Sequence, residues 1–336
     1  MAFFLNNASV EQVRRRSYKK KAPRIEPLRS TPEIGRKRRS LPRARESPYS
    51  AITLKSQNRS KSPTNEDRYS VKAFPNFVLF SVFDGHSGPA ISDYSSLHFL
   101  NHLGKNITKK GTDPRVFKEA FLTFDNILHK EFNHKQDGST VTVIYIDKHK
   151  IISANAGDSV AYLVKRSAVP TASARCAVRK LTTEHDYSNE KERKRVIAAG
   201  GKFHSGYYTV DNYMLQPTRG FGDFIFKKSK GNRGQDIYTA LPTVREYPIG
   251  PSDKFVILAT DGILLGNPNE PQNTIATLCG GAPASKRLLT GILNSTEIFG
   301  NPVYYPDDVT IIAVDLTVLR RRICAQRILR LVPKSI

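Results

Sequence analysis

Four carboxylate sites in this 336-residue chain stand where carboxylates are costly, at the ends of apolar runs or beside turn residues. Asp84 ends VLFSVF and precedes Gly85-His86, and Asp261 follows FVILAT and precedes Gly262. Asp307 stands directly ahead of DVTIIAV, and Glu66-Asp67 leads into YSVKAF. A single Asp-Gly pair is ordinarily a turn or cap carboxylate. Four such sites are harder to assign to turns. If the runs are strands of one sandwich, their ends gather these side chains at one rim, where they repel strongly in a low dielectric unless cations neutralise them. Oxygen donors without a Cys or His cluster point to a hard ion, Mg²⁺ or Mn²⁺. A lone His is ordinarily structural, but His86, two residues after Asp84, puts an imidazole beside that rim, where it can give a proton to a leaving alkoxide.

The elements that must position these groups are legible as short β-rich runs: YSVKAF, NFVLFSVF, STVTVIYI, KIISANAG, VAYLVK, DKFVILAT and DVTIIAVDL. Their alternation, or their continuous β-branched and aromatic content, suits half-buried or sandwich-core strands. Helical spacing of apolar residues predicts helices over Pro89 to Gly104 and Asp113 to Phe132. A third helix is expected over Asn189 to Ala199, with Glu190, Lys191, Glu192 and Lys194 on an exposed face. Val318 to Leu331 reads as a basic amphipathic helix packing its apolar side on the domain. Strands in runs with paired helices favour an α+β sandwich over a doubly wound parallel sheet.

The formal charge of +23 is the compositional outlier, compatible with nucleic acid, an anionic membrane surface or an acidic partner. Residues 1–50 hold 14 Lys and Arg against four Glu, or +10 of that total. Their repeated Pro, sparse large apolar groups and like charges leave too little burial to offset ordering entropy, so the segment is expected to be a disordered tail. No basic motif with interleaved aromatics and no nucleic-acid module appears, which argues against a nucleic-acid-binding role. The apolar runs are shorter than the roughly 20 residues of a membrane span, so none is expected. Cys176, Cys279 and Cys324 are far apart with no paired spacing, which suggests neither a disulfide framework nor a Cys-rich zinc site, and a reducing compartment.

At the carboxylates a resemblance becomes plain: the chain is similar to the PP2C or PPM family of metal-dependent Ser/Thr protein phosphatases. It is carried by eight motifs in family order: NEDRY, VFDGHSGP, GST, ANAGDS, LTTEHDYSNEKERKRVIAAGG, LQPTRGFGD, LATDGI and PDDVTIIAV, from about Asn58 to Val318. The resemblance implies a four-layer αββα sandwich, two antiparallel sheets flanked by helix pairs, over residues 51–318. The basic tail 1–50 precedes it and a basic helix or tail 319–336 follows. It further implies that Asp67 and Asp84 hold metals, that Gly85 offers its carbonyl, that Asp261 and Asp307 complete the set, and that Glu66 binds through water. Two Mg²⁺ or Mn²⁺ ions, roughly 3.5 to 4 Å apart, would share a water that attacks phosphorus in line, with no phosphoenzyme. His86 would protonate the departing Ser or Thr oxygen. The implied partner is a phosphoprotein substrate, and the chain is expected to be a monomer.

The sequence departs from the family at three points. Where an Arg usually grips the substrate phosphate, five residues before Asp67, stands Ser62, with Arg59 and Lys61 the neighbouring cations. Four residues after Asp261, Leu265 replaces an Asp that helps hold a third metal, although Asp158 of the GDS motif remains. The usual GDSR ends in Val160. These losses leave a second reading open, a phosphatase-like scaffold that binds a partner with little turnover. Within the family, NEDRY, DGHSGPA and EKERKRVIAAGG look closest to the mitochondrial branch that acts on the branched-chain ketoacid dehydrogenase. An intracellular location is expected. The early FFL and many cations of the tail suit the mitochondrial matrix, whereas GRKRRS equally suits the nucleus, with the cytoplasm also open.

Overall fold

The structure is a computed structural model, and it describes residues 47–56, 63–133, 136–167, 176–204, 206–210, 213–227, 236–263, 272, 275–276 and 307–325. The elements open with β1 (Tyr49–Leu54), β2 (Arg68–Ala73), β3 (Val78–Phe83), β4 (Gly85–His86), α1 (Ala90–Lys110) and α2 (Pro114–Phe132). Next come β5 (Gly138–Ser139), β6 (Val141–Ile146), β7 (Lys150–Ala156), β8 (Val160–Arg166), β9 (Cys176–Lys180) and α3 (Glu190–Ala198). The chain continues through β10 (Lys202–His204), β11 (Tyr207–Val210), β12 (Tyr213–Leu215), β13 (Phe221–Gly222) and β14 (Thr243–Pro248). It closes with β15 (Asp253–Ala259), β16 (Val309–Asp315) and α4 (Leu316–Cys324).

Two five-stranded antiparallel sheets form the body, one in the order β1-β16-β15-β8-β9 and the other β14-β7-β6-β3-β2. Between them, Val78, Phe80, Val82, Ile144 and Ile146 meet Ala161, Leu163, Val256, Leu258, Ile312 and Val314. The opposite face of the second sheet, with Leu79, Phe83, Val141 and Val143, packs on Phe99, Leu103, Phe117, Phe121 and Phe124 of α1 and α2. Both faces of β3 are therefore covered, which is why its six residues are all buried and why its sequence reads as a continuous run rather than an alternation. The outer face of the first sheet is also buried, with helical Ile275 packed among Val164, Ile257, Ala259 and Ile311. Layers of helix, sheet, sheet and helix follow, the α+β sandwich expected of the strand and helix pattern.

Helix ends follow local chemistry. Asp113 caps α2 by accepting from the Arg115 N–H at 2.8 Å, with Pro114 at the first helical position, where a missing N–H costs nothing. Asn189 caps α3 through the Lys191 N–H at 3.1 Å. Asp315 caps α4 through the Val318 N–H at 2.9 Å, starting that helix two residues before the expected Val318. Its Leu316, Leu319 and Ile323 join the core between the sheets, while residues 326–336 lie outside the described residues.

Two expectations are corrected. Glu192, expected on an exposed face of α3, is buried, its carboxylate accepting from Arg195 at 3.0 Å and Arg219 at 2.9 Å. Cys176, at the head of β9, is disulfide-bonded, whereas Cys324 is free and exposed. Separation in sequence says little about separation in space once strands cross between sheets, so spacing alone could not exclude a bridge. Among the described residues, no helix is long and apolar enough to cross a membrane.

Candidate active site

The carboxylates that end the strands of both sheets meet at one rim. Asp84 follows β3, Asp158 lies in the β7–β8 connection and Asp261 follows β15 and Thr260. Each offers one carboxylate oxygen within 4.8 Å of the others. Burial pushes the Asp84 carboxyl well above the ordinary carboxylate range, and the charges of Asp261, Asp67, Asp158 and Asp307 add to it. Burial likewise raises Asp158, joined by the charges of Asp261, Asp186 and Glu184. Acidic neighbours thus raise both groups further, and the cluster could hold a cation. Its donors are all oxygen, and they fit a hard divalent ion.

Asp67, just ahead of β2, is buried and accepts a hydrogen bond from Thr260 Oγ1 at 2.7 Å. That hydroxyl in turn accepts from the Thr310 N–H at 2.9 Å, which ties Asp67 to β16 of the other sheet. Burial raises Asp67 to about 8, against the lowering effect of hydrogen bonds from Thr260 and Thr310, and the charges of Asp308 and Asp261 act in the same direction as burial. Asp307, just ahead of β16, is near enough for its charge to act on Asp84. Its carboxylate accepts from the Asp308 N–H at 2.9 Å. Asp308 does different work: its two oxygens accept from the Ser56 N–H at 2.7 Å and the Glu66 N–H at 2.8 Å, holding the chain ahead of Asp67 against β16. Glu66 is further fixed through its carbonyl, which accepts from Ser92 Oγ at 2.6 Å. A side chain on Gly85 would stand 2.4 Å from that carbonyl and 2.8 Å from the hydroxyl, so only glycine lets β4 approach there.

His86 lies in β4 with Nε2 2.9 Å from Asp223 Oδ2. Burial lowers its pKa, but the charge of Asp223 and the hydrogen bond to it, followed by the charges of Glu66 and Asp137, more than offset this and leave it raised. The structure thus brings together Asp67, Asp84, Asp158, Asp261 and Asp307, with Gly85, Glu66 and His86 adjacent. Arg59, Lys61, Ser62 and Leu265 lie outside the described residues. Sequence reasoning gave no role to Thr260, Asp308 or Asp223. All three stood in quoted motifs, Thr260 in LATDGI, Asp308 in PDDVTIIAV and Asp223 as the last residue of LQPTRGFGD, but the motifs alone did not say what each side chain holds.

The protein phosphatase 2C family model matches residues 52–264, more than half of the chain. Protein phosphatase 2C homolog 3 of Schizosaccharomyces pombe is 34% identical over 188 residues, which cover 55% of this chain and 42% of that protein. Probable protein phosphatase 2C 2 of Paramecium tetraurelia is 31% identical over 200 residues, covering 55% of this chain and 63% of its own. The chain spans about half the length of the curated relatives it matches. The solved serine-threonine phosphatase 2C from Toxoplasma gondii superposes with a TM-score of 0.61 at 16% identity, covering 81% of this chain and 98% of that one. A C. elegans sex determining protein gives a TM-score of 0.60 at 20% identity, over 84% of this chain and 67% of that one. With the motifs in order, the sandwich and the carboxylate rim in place, the chain belongs to the protein phosphatase 2C family.

Proposed function

We propose that this chain is a metal-dependent Ser/Thr protein phosphatase that hydrolyses phosphoserine and phosphothreonine in protein substrates. The observation that carries the reading is the meeting of Asp84, Asp158 and Asp261 at one rim with His86 next to it. Two Mg²⁺ or Mn²⁺ ions held by Asp67, Asp84, the Gly85 carbonyl, Asp261 and Asp307, with Glu66 acting through water and Asp158 available to a third, would neutralise these carboxylates and lower the pKa of the attacking water. Everything else falls to the chain. Thr260 and Asp308 hold Asp67 and Glu66 in place across the two sheets. His86 delivers its proton to the Ser or Thr oxygen as the P–O bond breaks, so the leaving group departs as an alcohol rather than an alkoxide. Lys61 and Arg59 are the cations nearest in sequence to the missing phosphate fork at Ser62; of the two, Lys61 would supply charge without the fork's planar geometry. The catalytic unit is residues 51–318, with the basic segment 1–50 outside it.

Leaving-group dependence tests this reading. His86→Gln should slow a phosphoserine peptide by about 10² to 10⁴-fold and p-nitrophenyl phosphate far less, because p-nitrophenolate needs little protonation. Equal slowing of both substrates would reassign His86 to structure. Ser62 and Leu265 favour the scaffold reading, which becomes the better one if the metal-loaded chain hydrolyses no phosphopeptide.

A further inference from the structure

A three-stranded sheet in the order β13-β5-β4 stands apart from the two main sheets, and each of its strands is two residues long. Pairing so short adds little stability. What it does is geometric: Gly138 of β5 pairs with His86 on one side and with Gly222 on the other. Asp223, the residue after Gly222, is thereby carried to His86, 137 positions away in the chain, and its Oδ2 lies 2.9 Å from Nε2. Gly138 is the spacer. A Cβ there would lie 1.9 Å from Asp223 Oδ2 and 2.3 Å from His86 Nε2, so the two side chains meet above the one residue that leaves them room.

The backbone of Asp223 is strained for the same end. Among the described residues, only Ser87 and Asp223 combine a side chain with a positive φ, at 60° and 49°, and they follow His86 and Gly222 directly. Such conformations persist where the surroundings over-determine them. Here the Asp223 N–H donates to the Asp137 carbonyl at 3.1 Å. The preceding Gly222 N–H donates to Asp125 Oδ1 at 3.0 Å. Asp125 is fixed in turn by Lys227 Nζ, 2.8 and 2.7 Å from its two oxygens. The Asp223 carboxylate is almost wholly buried, while the His86 side chain keeps 23% of its surface exposed. A carboxylate buried at that depth needs a charged or hydrogen-bonded partner.

We infer that Asp223 is a positioning residue for His86: it accepts the Nε2–H, fixes the orientation of the ring, and leaves Nδ1 as the nitrogen that hands its proton to the departing alkoxide. This assignment rests on the phosphatase reading for its catalytic consequence, but the pairing itself is independent of turnover.

Two measurements on the full-length, Mg²⁺-loaded chain test it. The first needs no activity. In ¹⁵N-histidine-labelled protein, a downfield Nε2–H resonance that vanishes in His86→Gln should be present in the wild type and lost or shifted upfield in Asp223→Asn, which keeps the shape and tolerates the positive φ. An unchanged resonance overturns the assignment. The second is kinetic. Asp223→Asn should lower kcat for a phosphoserine peptide by about 10²-fold, part of what a general acid supplies, with KM nearly unchanged and p-nitrophenyl phosphate affected much less. On a His86→Gln background the same substitution should cost nothing further, because Asp223 acts only through that ring. Equal losses on both substrates, or a full additional loss in the double variant, overturn it. Should the wild type hydrolyse no phosphopeptide, the phosphatase reading fails on its own, and the ring resonance alone decides the pairing.

Discussion

Gly138→Ala isolates the geometry of the His86–Asp223 pair from its chemistry, because neither reacting group is altered. The new methyl would start 1.9 Å from Asp223 Oδ2, and contacts of this kind are essentially never closer than 3.0 Å, so the carboxylate or the strand must give by about 1.1 Å. His86 Nε2, at 2.3 Å from the same point, blocks retreat in the other direction. Misplacement of about 1 Å costs on the order of 10²-fold in rate, which is about 2.7 kcal/mol of transition-state stabilisation. Overpacking adds a stability loss of about 1 to 3 kcal/mol. Steady-state kinetics on a phosphoserine peptide and on p-nitrophenyl phosphate, with urea unfolding of the same preparations, separate the two effects. The peptide rate should fall about 10²-fold, the aryl phosphate rate much less, and the protein should remain folded at 25 °C. A folded Gly138→Ala variant with peptide kcat within twofold of the wild type would refute the steric argument and the close approach it rests on.

Three further outcomes are expected. Lys227→Met leaves the buried Asp125 carboxylate without its cation and should destabilise the chain by about 3 kcal/mol in urea, with part recovered by adding Asp125→Asn; a change under about 0.5 kcal/mol would mean the pair is solvated. His185 is buried, its Nδ1 accepting from the Gly157 N–H at 3.2 Å and its Nε2 2.8 Å from Thr243 Oγ1, and burial, helped by the charge of Arg219, lowers it to about 3. Between that value and the ordinary 6.5 only the unfolded chain binds the proton. Stability should therefore fall as pH drops, by up to about 2 kcal/mol from pH 6.5 to 5, and His185→Gln should remove that slope relative to the wild type. Ser62→Arg restores a planar fork in the family position and should lower KM for a phosphopeptide several-fold with kcat changed less, while an unchanged KM would mean that phosphate is gripped elsewhere.

The acidic rim was legible because apolar strands ending in Asp leave the carboxylate few places to go. Asp84 after VLFSVF and Asp261 after FVILAT are such cases, and the strands expected around them appear within a residue or two of their observed bounds. Of the long helices, α2 was equally legible, beginning just after the expected Asp113 and ending at Phe132, whereas α1 runs to Lys110, six residues past the expected Gly104. What escaped were elements too short for a period: two-residue β4, β5 and β13 carry no alternation, yet they set the His86–Asp223 distance. Asp308 escaped because nothing in the pair Asp307-Asp308 says which carboxylate faces the cluster and which takes two backbone N–H groups from a segment some 240 residues earlier. Thr260 looked like the end of a strand, and its hydroxyl's link between Asp67 and Thr310 exists only across two sheets. Edge strands β1, β9 and β14, with their polar residues, were hidden for the opposite reason from β3: only part of each is covered.

The central claim is that the carboxylate rim works only with divalent cations in it. The direct measurement is hydrolysis of a phosphoserine peptide by exhaustively chelated protein, before and after Mn²⁺ or Mg²⁺ is returned, with Asp84→Asn alongside. Chelated wild type should be inactive, should regain hydrolysis with either ion and should unfold at a higher temperature when loaded. Asp84→Asn should regain little of either. Full activity surviving exhaustive chelation would contradict the claim.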